Sequence, residues 1–291
     1  MNALGMGTAL APRTRVGFIG LGSIGKPMAR RVAEAPLLDV RVLDLDPAPV
    51  AELVALGARA AASVAELATW AEVVCVMVRD DGQVRAVVEE LLDSGAEDLV
   101  VAIHSTVAPT TPSDLETLAA GRVRIVDAPV SGGPMGAAEG TLAIMVGGTT
   151  EAFVDAEPVL SAMAAKVVHA GPIGSGTRLK LARNLLHFVS FTAATEAARL
   201  AEAAGLDLVV LGEVVRHTDA ITGGPGAILY RSTTTPIEPA DFWHGVFTHV
   251  VALGEKDLSF AIALADELDV QVPLARRALT DLAPGLGLPR D

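Results

Sequence analysis

Between positions 15 and 148 the chain alternates short apolar runs with stretches whose apolar residues recur every three to four positions. The runs are VGFIG (16–20), VRVLD (40–44), VVCVMV (73–78), LVVAI (99–103) and RIVDAPV (124–130), each of strand length. Between them SIGKPMARRVAEA (23–35), PAPVAELVALG (47–57), GQVRAVVEELL (82–92) and TPSDLETLAA (111–120) follow a helical period. Strands and helices in this alternation predict a mainly parallel sheet with helices on both faces. LAIMVGG (142–148) and KVVHAG (166–171) add two strands around the helical TEAFVDAEPVLSAM. Past Gly176 the alternation stops. Residues 179–205 read as one long helix, followed by helical stretches at 207–217, 241–253 and 256–268. The prediction is an α/β domain over 13–176 and an all-α domain over 177–291, with the GPIGSG turn between them and the long helix entering the second.

Composition narrows the classes. A chain of 291 residues is long enough for two modest domains with their own cores. Hydrophobic residues make up 51%, yet the Ala-rich stretch from Arg59 to Val78 is broken by Glu66 and Glu72, and no apolar run reaches membrane-spanning length. The leading MNALGMGTALAPRTR has no basic start followed by an apolar core, so a short disordered lead-in is expected rather than a secretory signal. A net charge of −13 argues against nucleic-acid or anionic-membrane partners. The single Cys75, inside VVCVMV, reads as a core thiol and suits a reducing cytoplasm. Six histidines without HxH or HExxH spacing make a metal site improbable.

The first strand runs directly into Gly20-Leu21-Gly22-Ser23-Ile24-Gly25, which opens a helix. GxGxxG by itself is a weak signal; between a strand and a helix it is the dinucleotide fingerprint of a Rossmann domain. The first glycine permits the tight turn, the second lets a pyrophosphate approach the backbone, and the third lets helix and strand pack. Asp44 ends the second strand, where a carboxylate accepts hydrogen bonds from the adenine ribose and repels a 2′-phosphate. No arginine follows at once, since Leu45, Asp46 and Pro47 come next. NAD is therefore expected over NADP.

Four blocks, FIGLGSIGKPMA, DAPVSGGPMGAAEGTLAIMVGG, GSGTRLKLARN and EKDLSFAIALADELDVQVPL, resemble in order and spacing those of the 3-hydroxyisobutyrate dehydrogenase family, the β-hydroxyacid dehydrogenases. The resemblance covers nearly the whole chain and implies a Rossmann domain, an all-α domain behind a long helix, and a homodimer or homotetramer. It also implies roles. Lys180 matches the catalytic lysine; Ser131, Gly132, Gly133 and Asn184 match substrate-binding positions. Thr106 matches a threonine near the nicotinamide, Lys256 a lysine reaching the cofactor, and Val78 and Arg79 a Leu-Pro pair whose backbone lines the cofactor.

The chemistry is consistent with those roles. Oxidising a 3-hydroxy acid to its semialdehyde sends a hydride to the nicotinamide, so the protein must move one proton and orient the substrate. A lysine serves if burial or positive charge lowers its pKa towards the working pH. Lys180 and Asn184 lie one helical turn apart, and His187 follows three residues later. Read from the residues alone, Lys180 is also open to a solvated helix charge, and Lys256, between Glu255 and Asp257, to a surface ion pair.

Three positions depart from the family pattern: Arg183 stands where an asparagine is common, Val78-Arg79 replaces Leu-Pro, and His104 replaces an aspartate before Ser105-Thr106. They leave the substrate open among small hydroxy acids and semialdehydes. Imine reductases resemble the same fold but usually lack the lysine and prefer NADPH. In 6-phosphogluconate dehydrogenases the lysine is followed by His-Asn-Gly, whereas Asn184 leads here into Leu185-Leu186. A catalytically silent nucleotide sensor is the alternative from another class.

Overall fold

The computed structural model describes residues 13–229 and 231–289; the lead-in expected at the N-terminus lies outside them. The chain forms two compact units that divide after Arg183.

The first unit contains β1 (Thr14–Ile19), α1 (Gly25–Glu34), β2 (Leu38–Leu43), α2 (Pro47–Val54), β3 (Arg59–Ala60), α3 (Val64–Trp70), β4 (Val73–Val76), α4 (Asp81–Asp93), β5 (Val100–Ile103) and α5 (Thr111–Ala119). Then come β6 (Arg124–Asp127), β7 (Val130–Ser131), α6 (Gly133–Glu139), β8 (Leu142–Gly147), α7 (Thr150–Ser161), β9 (Ala164–Gly171) and the start of α8 (Ser175–Ala203). The strands lie in the order β3-β2-β1-β4-β5-β6-β8-β7, with β9 beside β8. From β3 to β6 every pairing is parallel; β8 runs antiparallel to β6 and β7 and parallel to β9. This is the predicted Rossmann sheet, and the order reverses between β1 and β4, where such sheets open a crevice at their carboxyl ends.

Alternation along the strands builds a core on each face. Val73 and Cys75 pack with Phe18, Met28 and Leu160 on one side, while Val74 and Val76 pack with Leu67, Leu91 and Leu115 on the other. Cys75 is fully buried, and burial alone pushes its thiol up to about 12, so it is the expected core residue and not a nucleophile. His104 is likewise internal. Its Nδ1 lies 2.8 Å from the Ala128 carbonyl, its ring stacks near Phe18, and burial lowers its pKa to about 4. It is a neutral core side chain at the end of β5.

The second unit holds the rest of α8, α9 (Leu208–Thr222), a 3₁₀ turn at Gly224–Gly226, α10 (Phe242–Glu267) and α11 (Pro273–Gly285). The two helical stretches predicted at 241–253 and 256–268 are one helix, α10. Gly254, which reads as a break, is a contact position: a Cβ there would lie 2.7 Å from Leu282 of α11. Helix α11 itself was not predicted. Glu196 of α8, buried and acidic, accepts the Leu274 and Ala275 N–H groups at 2.8 and 3.0 Å. It satisfies two donors that the first turn of α11 leaves free.

Among the described residues no helix is long and apolar enough to cross a membrane, and no group of three or more His, Cys, Asp or Glu is placed to hold a metal ion.

Candidate active site

Backbone contact explains the spacing of the glycine loop. A Cβ on Gly20 would sit 2.2 Å from the Met77 carbonyl oxygen, and one on Gly25 2.1 Å from that of Gly20. The loop is therefore pressed onto the end of β4, and α1 starts against the loop. Nothing lies within 4 Å of a Cβ on Gly22, so that face is open to a ligand. A cleft of about 880 Å³ begins here. Its walls include Gly20, Gly22, Ser23, Ile24, Gly25, Asp44, Val78 and Arg79, eight of the positions expected to meet the cofactor.

Two further contacts fix the cleft. The Asp44 carboxylate accepts the Leu21 N–H on Oδ2 at 2.5 Å and the Asp46 N–H on Oδ1 at 2.8 Å. Leu21, expected to meet the cofactor, is buried, does not line the cleft, and gives its N–H to Asp44. Across the crevice the Ser105 hydroxyl donates to the Val78 carbonyl at 2.8 Å and accepts the Val78 N–H at 2.9 Å. Asp80 caps α4 by accepting the Gln83 N–H, and Gln83 Oε1 accepts the Arg79 N–H, a reciprocal pair that holds the Val78-Arg79 rim. A dinucleotide fits this chemistry: an open glycine turn at a helix start for the pyrophosphate and an oriented carboxylate for a ribose.

A second cluster joins β7 to the start of α8. Lys180 is 8% exposed and its Nζ donates to Ser131 Oγ at 2.8 Å. Burial lowers the pKa of the ammonium, and the charge of Arg183 on the next turn lowers it further. Ser131 is followed directly by Gly132 and Gly133, which lead into α6. A buried lysine beside a serine and an exposed glycine backbone can hold a small hydroxyl-bearing anion and exchange a proton with it.

The sequence also compares with known proteins. Residues 15–171 match the NAD binding domain of 6-phosphogluconate dehydrogenase, and residues 174–282 the domain described as NAD-binding of NADP-dependent 3-hydroxyisobutyrate dehydrogenase. The 3-hydroxyisobutyrate dehydrogenase of Pseudomonas aeruginosa is 37% identical over 91% of this chain and 90% of its own. The chain belongs to the 3-hydroxyisobutyrate dehydrogenase family. An uncharacterized oxidoreductase of Mycobacterium tuberculosis is 50% identical over 97% of this chain and 96% of its own. The crystal structure of an oxidoreductase from Mycobacterium avium superposes with a TM-score of 0.90 at 50% identity, covering 94% of this chain and 99% of that one.

In this member of the 3-hydroxyisobutyrate dehydrogenase family three expected positions remain, Thr106, Asn184 and Lys256. Thr106 is exposed in the loop after Ser105 and is not among the residues that line the cleft. Asn184, part-buried on α8, and Lys256, exposed on α10, belong to the second unit, where Lys256 pairs with Asp257 at 3.1 Å. Sequence reading passed over Ser105 and Asp127. Both act on backbone atoms 27 or more positions away, and no local pattern records such a contact.

Proposed function

We propose that the protein is an NAD-dependent oxidoreductase that interconverts a small 3-hydroxy acid of the 3-hydroxyisobutyrate type and its semialdehyde, with Lys180 as general acid and base. The observation that carries this reading is the buried Lys180 ammonium, 2.8 Å from Ser131 and with its pKa lowered by burial and by Arg183. In the oxidative direction the neutral amine takes the proton of the substrate hydroxyl as the carbinol carbon loses a hydride. When bound, the nicotinamide supplies the hydride acceptor. In the reductive direction the ammonium stabilises and protonates the developing alkoxide. Ser131, Gly132, Gly133 and Asn184 orient the substrate and its carboxylate, and Thr106, Lys256, Val78 and Arg79 serve the cofactor. Asp44 supports NAD over NADP: its oriented oxygens suit the two ribose hydroxyls and oppose a 2′-phosphate.

The test is NADH or NADPH formation with hydroxyisobutyrate, serine, glycerate and 4-hydroxybutyrate and each cofactor in turn. Turnover with at least one 3-hydroxy acid, faster with NAD, is expected. Tight cofactor binding with no turnover on any of them would return the chain to a sensing role.

We also propose a homodimer or homotetramer in the cytoplasm. Helix α9 buries none of its residues, and Val209, Val210 and Val214 are exposed along it, as are Phe188 and Phe191 on α8. Apolar surface on this scale is usually covered by a partner. Sedimentation at micromolar concentration should give a mass at least twice 29.8 kDa; a monomer would overturn the proposal.

A further inference from the structure

Asp127 ends β6 with none of its surface exposed, and a buried carboxyl group is costly unless it is hydrogen-bonded. Its donors come from the start of α8. Oδ1 accepts the Gly174 N–H at 2.7 Å and Oδ2 accepts the Thr177 N–H at 2.5 Å. A helix leaves the N–H groups of its first turn without intrahelical partners, so the carboxylate completes that turn. Space has been cleared for the contact. A Cβ on Gly147, paired with Asp127 across the β6–β8 ladder, would lie 2.3 Å from Asp127 Oδ1. One on Gly176 would lie 2.2 Å from the Met145 carbonyl oxygen and 2.6 Å from that of Asp127. Strand end and helix start thus meet backbone to backbone.

The same two segments carry the proton-transfer pair. Ser131 lies four residues after Asp127, and Lys180 lies three residues after Thr177, one helical turn on. Asp127 therefore ties together, 50 positions apart in sequence, the pieces whose side chains meet at 2.8 Å. We propose that Asp127 is a positioning residue of the active site, its carboxylate holding the α8 turn that bears Lys180 against the segment that bears Ser131. Its kinetic consequence rests on the reading of Lys180 given above; its effect on where the amine sits does not.

The test separates the two. The rate at which acetic anhydride acetylates Lys180 is followed against pH by peptide mass spectrometry, with added Nα-acetyl-lysine amide as the reference amine. In the full-length wild type, Lys180 should titrate below the reference. In Asp127→Asn the side-chain NH₂ faces one of the two N–H donors, the turn moves off Ser131, and the Lys180 profile should shift up towards that of the reference. The kcat for oxidation should fall on the order of ten- to a hundredfold, as displacements near 1 Å do, with cofactor affinity unchanged. Thr177→Pro removes one donor while sparing the carboxylate, and proline is tolerated in a first helical turn; it should shift the profile the same way by less. A cap that merely added stability would lower the amount of folded protein without moving the titration. Folded variants with the wild-type Lys180 profile overturn the proposal, whatever their kcat. A shifted profile with wild-type kcat upholds the positioning and overturns the catalytic reading of Lys180. If Asp127→Asn does not fold, the profile of Thr177→Pro decides.

Discussion

Lys180→Ala is expected to lower kcat for hydroxy-acid oxidation by about 10²–10⁴-fold, the usual worth of one positioned acid–base group, while leaving cofactor affinity near wild type. The lysine touches Ser131 and is absent from the walls of the dinucleotide cleft, so its loss should fall on the chemical step. The pH profile gives a second reading. Oxidation needs the neutral amine, so kcat/KM should rise with pH and level off once Lys180 is deprotonated. Because burial and Arg183 stabilise the neutral form, that plateau should be reached below the ordinary lysine value of 10.5. The limb should vanish from the residual activity of Lys180→Ala. Near-normal turnover in the variant, measured as initial NADH formation, would remove Lys180 from the mechanism.

Asp44→Ala carries the other large effect. One hydrogen bond to a charged group contributes about 1.5–3 kcal/mol, so losing the equivalent of one ribose contact should weaken NAD on the order of 10- to 100-fold. NADP should lose less or gain, because the carboxylate that opposes its 2′-phosphate has gone. The ratio of kcat/KM values for the two cofactors should narrow accordingly. Asp44 also holds the Leu21 N–H, so a thermal melt of the variant is needed to separate a slack glycine loop from lost recognition. An unchanged cofactor ratio in a folded variant would end the assignment of Asp44 to NAD selection.

The parts legible in the sequence were those with a local period or a local chemical need. The strands of the first sheet announce themselves as apolar runs because both of their faces are covered, as with Val73 to Val76. The glycine loop is legible because its constraint acts within six residues and between adjacent elements. Helix α3 was blurred by its alanines, and β7 and α6 by their shortness. Helix α11 begins at Pro273 itself, and its start is completed by Glu196, 78 and 79 positions before the residues whose N–H groups it accepts. The stretches 241–253 and 256–268 are one helix because Gly254 between them, a break by local propensity, is a close contact with Leu282 of α11.

By itself the sequence determined the fold class, the dinucleotide fingerprint with Asp44, and the family to which Lys180 belongs. It could not decide whether that lysine was a solvated charge. The ammonium is out of water because the first turn of α8 is held against β6 and β8, where glycines admit the backbone and Asp127 accepts its N–H groups. Burial and the approach of Ser131 are properties of segments some 50 residues apart brought to one place. A pKa follows from the surroundings of a group, and those surroundings exist only once the chain has folded.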